Sequence, residues 1–88
     1  MPTRTVTVAS KVGLHARPAA TFTRAAAGSG LPVTIGVAGK DPVDAASVLA
    51  VMTLGVQYGQ EVTLHAEGDG AAATLEELVA LLATGHDA

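Results

Sequence analysis

Within Gly13-Leu14-His15-Ala16-Arg17-Pro18 the chain sets a histidine, an arginine and a proline at the head of an alanine-rich run. Those residue types at that spacing suit phosphate chemistry. Neutral imidazole is a nucleophile near pH 7. A helix starting just after His15 would present N–H groups that have no intrahelical partner, at the end of its dipole that favours negative charge. A phosphate held on His15 would then meet free amides, those of Ala16 and Arg17. The Arg17 guanidinium adds a planar fork matched to phosphate oxygens, and the dipole disfavours the imidazolium, keeping His15 reactive. Pro18 has no N–H where a first turn needs none, although a residue before proline avoids the α region. The helix start therefore stays open between Ala16 and Pro18. A lone histidine ahead of a helix is more often a plain loop residue, but the coincidence of Gly13, Arg17 and Pro18 weighs against that reading of His15.

The elements that must position this segment follow from hydrophobic periodicity. Val6 and Val8 alternate with Thr5 and Thr7 as in a half-buried strand, and residues 10–14 read as a loop. A helix runs to about Ala27 with Ala19, Phe22 and Ala26 on one face, and Gly28 is placed to close it. Val33, Ile35 and Val37 mark a second strand, followed by the turn Ala38-Gly39-Lys40 and a short third strand near residues 40–43. Pro42 cannot donate to a ladder, which puts that strand on an edge. A short helix over residues 47–54 has Ser47 at its N-cap and Gly55 behind it. Val62, Leu64 and Ala66 alternate in a fourth strand. Asp69 is the expected cap of a last helix whose Leu75, Leu78, Val79 and Leu82 fall at i, i+3, i+4 and i+7.

The order is βαββαβα in a single domain over residues 1–88. Alternating strands imply a sheet with one buried face, covered by the helices in a two-layer, open-faced α/β (α+β) sandwich. The second helix is too apolar for a simple amphipath. With Val51 and Leu54 toward the sheet, some of Val48, Leu49 and Met52 must face outward, and a small exposed patch containing a Met suits a surface that meets several partners. A helix buried on two sides is the other reading of the same residues.

Composition excludes several function classes. There is no cysteine, hence no disulfide framework, thiol nucleophile or cysteine-based zinc site. A net charge of −3 and only two aromatics, Phe22 and Tyr58, argue against a nucleic-acid binder. No run approaches the roughly 18–20 apolar residues of a membrane span, and the first ten residues offer no continuous apolar stretch. A cytoplasmic chain with no membrane insertion is expected. Neither His65, on the polar register of strand four, nor His86, in the tail 85–88, lies at a metal-ligand spacing from His15, so no metal and no cofactor is expected. Asp41 and Asp44 read as solvated turn residues, and Glu76 and Glu77 as the solvent side of the last helix. Ser10 and Lys11 flank the active loop, where they could touch the phosphate.

GLHARPAA, residues 13–20, resembles the active-site signature of HPr, the histidine-containing phosphocarrier of the bacterial phosphoenolpyruvate:sugar phosphotransferase system. A second segment, Ala46-Ser47-Val48-Leu49-Ala50-Val51-Met52-Thr53-Leu54-Gly55, also resembles that family, and the likeness in length and element order spans the chain. The resemblance implies a four-stranded antiparallel sheet in order 1-4-2-3 with three helices on one face. It implies a phosphoryl group carried on Nδ1 of His15 and stabilised by Arg17, received from enzyme I and passed to enzyme IIA. The docking surface it implies takes in Val48, Leu49 and Met52, with Ala20 and Arg24 of the first helix. Ser47 is similar to the serine that a dedicated kinase phosphorylates in many Gram-positive relatives, which would add a serine kinase and a phosphorylase to the partners. Here the chain departs from the family: Ala45 and Ala46 stand where relatives can carry a basic residue, and the loop is one residue longer. A monomer is expected. The competing readings are a regulatory module whose phosphohistidine or phosphoserine state controls binding, and a carrier in a nitrogen-linked or dihydroxyacetone-kinase relay. A self-sufficient enzyme would need a second acid–base group and a nucleotide-binding loop that the chain does not show.

Overall fold

The computed structural model describes residues 2–9, 11, 13–14 and 16–84; His15, Ser10, His86 and the tail 85–88 lie outside the described residues. Its elements are β1 (Thr3–Thr7), α1 (Ala16–Gly28), β2 (Val33–Gly36), β3 (Val43–Asp44), α2 (Val48–Thr53), β4 (Glu61–Ala66) and α3 (Ala71–Ala83). The strands form one sheet in the order β1-β4-β2-β3, with every neighbouring pair antiparallel. Period-two alternation assigns the two faces. Val6, Val33, Ile35, Val62, Leu64 and Ala66 are buried, while Thr5, Thr7 and Thr63 on the other register are exposed. The helices cover the buried face. Phe22, Ala19 and Ala26 of α1, Val51 of α2 and Leu75, Leu78 and Leu82 of α3 join the strand residues in one core. Arg4 shares the helix-side register of β1, and its Nε donates to Glu76 Oε2 of α3 at 2.7 Å.

Three local boundaries depart from the sequence expectation, each for a physical reason, and the helix start left open between Ala16 and Pro18 falls on the earlier residue. Helix α1 starts at Ala16, so Pro18 is its third residue. The carbonyl that a proline ring would strike lies one turn back, ahead of the helix, and only the milder restriction on Arg17 has to be overcome. Gly28 does not close α1 from outside: it is the last helical residue, and the left-handed glycine is Gly30 (φ 73°), whose N–H donates to the Ala27 carbonyl. Strand β3 begins only at Val43. The Lys40 N–H is spent in a turn onto Val37, and Pro42 packs over Gly36, its ring 3.5 Å from where a Cβ would stand. Asp69 does not cap α3; a turn from Gly68 to Ala71 leaves it one residue early, and the cap position is Gly70, with no side-chain bond.

Candidate functional site

The two residues before His15 are held hard. Gly13 has φ +67°, and a Cβ there would lie 2.2 Å from the Val56 carbonyl oxygen and 2.8 Å from the Gln57 Cα, so both conformation and space demand glycine. Leu14 is buried, and its N–H donates to the same Val56 carbonyl at 3.0 Å. The α2–β4 loop that supplies this carbonyl also grips the end of β1, since Gly59 donates to Val8 and Val8 to Gln60, both at 2.9 Å. Chain position thus joins His15 to a clamped pair on one side and to the first helical residue, Ala16, on the other.

Arg17 is exposed in the first turn of α1 and makes no ion pair with a described residue. It repeats at i+3 and i+7 as Ala20, half-buried, and Arg24, exposed, which puts all three on one stripe of the helix. Helix α2 packs beside α1. Of its apolar residues Val51 is fully buried, Met52 is half-buried against the core, and Val48 and Leu49 are exposed, Leu49 by 79%. This settles the two readings of α2 in favour of an outward apolar patch. Neither α1 nor α2 contains an acidic residue. In a chain of net charge −3, the paired helices α1 and α2 therefore carry two arginines, no carboxylate and an exposed apolar patch.

Ser47 caps α2 as its residue type implies: the hydroxyl oxygen accepts from Ala50 N at 3.2 Å. Ahead of it Ala45 is fully buried and its N–H donates to the Val33 carbonyl at 2.9 Å. Asp44 turns the chain there, its Oδ1 accepting from Ala46 N at 2.9 Å, and Asp41 is exposed. His65 is half-buried and not simply exposed, with Thr3 Oγ1 3.3 Å from its Nδ1 and Glu67 Oε1 3.8 Å from its Nε2. It lies on the open sheet face. Lys11 is exposed. Among the described residues no group of three or more His, Asp or Glu is placed to hold a metal. No helix among them is long and apolar enough to cross a membrane. Two residues of the site escaped sequence reasoning: Val56, whose carbonyl is the clamp, and Lys40, whose Nζ reaches the Leu54 carbonyl at 3.3 Å. Both act between segments distant in sequence, for which no local pattern exists.

A family model described as the phosphorylation site of the PTS HPr component matches residues 2–84. The chain is 52% identical over 85 residues to a phosphocarrier protein HPr of Streptomyces coelicolor, covering 97% of this chain and 91% of the relative. Its fold superposes on the crystal structure of an HPr from Bacillus anthracis with a TM-score of 0.87 at 36% identity, over 92% of this chain and 95% of that one. An HPr dimer from Thermoanaerobacter tengcongensis is also similar, at 37% identity and a TM-score of 0.69, over 92% of each chain. Fold, motif and relatives together define a phosphocarrier of the phosphotransferase system, a component that is loaded and unloaded and is not itself a catalyst. The chain belongs to the HPr family.

Proposed function

We propose that His15 is the phosphoacceptor, loaded by phosphoenolpyruvate-dependent enzyme I and unloaded onto a sugar-specific enzyme IIA. The observation that carries this reading is the clamp on Gly13 and Leu14. A glycine whose missing Cβ admits the Val56 carbonyl, followed at once by a buried and hydrogen-bonded leucine, fixes the backbone immediately before His15, as the presentation of a reacting side chain requires. In loading, the Nδ1 lone pair attacks the donor's phosphorus. The N–P bond forms as the donor's own bond to phosphorus breaks, and that electron pair stays with the donor. Unloading is the same displacement with the acceptor as nucleophile. The chemistry needs positioning and charge stabilisation above all. The exposed Arg17 guanidinium and the unpaired first-turn amides of Ala16 and Arg17 supply the charge stabilisation.

Docking falls on Val48, Leu49 and Met52 with Ala20 and Arg24 around them. An apolar centre with a basic rim fits an acidic partner surface with an apolar cleft, and rim charges of this kind set the encounter rate. A serine kinase that phosphorylated Ser47, opposed by a phosphorylase, would place roughly −1.5 to −2 charges at the edge of that face. Acceptor and docking face lie in one chain, so a single copy of the domain suffices as the transferring unit; a monomer working in the cytoplasm is the form this reading takes.

Incubation with phosphoenolpyruvate and enzyme I tests the assignment. The protein should acquire an acid-labile, alkali-stable label that His15→Ala abolishes and His65→Ala leaves intact. Labelling that survives His15→Ala would overturn it.

A further inference from the structure

Helix α2 is six residues long, and a helix of that length in isolation is unstable. Its ends matter accordingly. Ser47 answers the start, and at the other end the Ala50, Val51 and Met52 carbonyls accept from the Thr53 hydroxyl and the Leu54 and Gly55 N–H groups, but the last turn contains no basic residue to meet the Leu54 carbonyl that follows. The cation comes from elsewhere in the chain: Lys40, in the β2–β3 turn, donates from Nζ to the Leu54 carbonyl at 3.3 Å. A positive charge at the carbonyl end of a helix also opposes the negative end of its dipole. Lys40 is exposed and makes no ion pair with a described residue, although Asp41 is its neighbour in the chain. The Leu54 carbonyl is the partner its ammonium takes.

The position of that carbonyl gives the contact its consequence. Leu54 and Val56 are both buried, and Gly55 between them turns the chain through φ +64°. One peptide group in this short span is held by Lys40, and the Val56 carbonyl accepts from Leu14, the residue joined to His15. Two residues of backbone, Gly55 and the buried Val56, thus connect the carbonyl held by an ammonium of the β2–β3 turn to the carbonyl that holds the active segment. We infer that Lys40 is a positioning residue for phosphoryl transfer, holding the Leu54–Val56 backbone and, through it, the Gly13–Leu14 clamp ahead of His15.

The inference rests on His15 being the acceptor, and the experiment separates the two. Lys40→Met keeps the length of the stem and removes the charge; Lys40→Arg restores a donor cation. Amide exchange of Leu14 should rise about three- to tenfold in Lys40→Met, the scale of one lost hydrogen bond, while Ile35 and Leu64 in the sheet core keep their wild-type protection. The rate of labelling by enzyme I should fall by a comparable factor, and Lys40→Arg should recover most of both. Three outcomes overturn the inference: Leu14 exchange and labelling both at wild-type level; exchange raised equally at Leu14, Ile35 and Leu64, which would make Lys40 a general stabiliser; or faster Leu14 exchange with unchanged labelling. Label on a His15→Ala protein would instead defeat the acceptor assignment, and the Leu14 exchange would still report whether Lys40 holds the clamp.

Discussion

In α3 the leucines at 75, 78 and 82 are buried to 5% exposure or less, while Glu76 and Glu77 ride on the solvent side. In α2 only Val51 is buried, and Leu49 stands 79% exposed between Val48 and Ala50. Both helices are rich in aliphatic residues, but α3 is thirteen residues long and carries a core-facing stripe. It is held by burial, and its N-terminus manages without a side-chain cap. Helix α2 is too short to be held that way. It relies on what grips its ends: the Ser47 hydroxyl on Ala50, the Lys40 ammonium on Leu54, and the turn at Gly55. End-gripping leaves the outward side chains of α2 free of any structural duty, and a side chain without structural duty can be shaped for recognition.

The sharpest way to break this comparison is to truncate one leucine in each helix. Leu75→Ala removes a fully buried side chain and should cost about 2–5 kcal/mol in chemical denaturation. Leu49→Ala should change stability by no more than about 0.5 kcal/mol. It should, however, raise the apparent KM for the phosphoryl donor, as should Met52→Glu. Equal destabilisation by the two truncations would show that Leu49 is a core residue after all.

A smaller effect is expected at the start of α2. Ser47→Ala removes the cap and should cost about 1 kcal/mol. Ser47→Asp keeps an acceptor at the N-cap, where the dipole favours a negative charge, so its Tm should stay level or rise while the KM for enzyme I increases. A marked drop in Tm with unchanged KM would separate Ser47 from both the helix start and the docking face.

The smallest effect belongs to the ion pair that ties α3 to β1. Arg4 and Glu76 meet at 2.7 Å, but their side chains are 39% and 63% exposed. Water and salt screen such a pair, so Arg4→Ala should cost less than about 1 kcal/mol by thermal melting, and less still in high salt. A larger loss would mean that α3 depends on its charged face as well as its leucines.

Much of the fold was legible because it is written in periodicity. Alternation at 33, 35 and 37 and at 62, 64 and 66 marked the buried register of two strands, and the 75-78-82 spacing marked the face of α3. The misplaced boundaries share a cause. At Gly28, Pro42 and Asp69 the residue type was right for a break, but the competing bonds of neighbouring backbone moved the break by one to three positions. The candidate site divides in the same way. The cap at Ser47 could be read from residue type and local spacing, whereas the exposure of Leu49 could not, because it depends on which side of α2 the core happens to lie.

By itself the sequence determined which residue types are at hand for the proposed chemistry and which must be inside. Side-chain type and local period are properties of a short stretch of chain, and His15-Ala16-Arg17-Pro18 carries its chemistry in four consecutive positions. Only the tertiary structure decided what holds the backbone of Gly13 and Leu14 just ahead of that segment. The Val56 carbonyl on Leu14, the absent Cβ at Gly13, and the Lys40 ammonium on Leu54 join positions that are far apart in the chain. A hydrogen bond or close approach of that kind depends on the distance between two backbones, and no local pattern encodes that distance until the sheet and helices have packed.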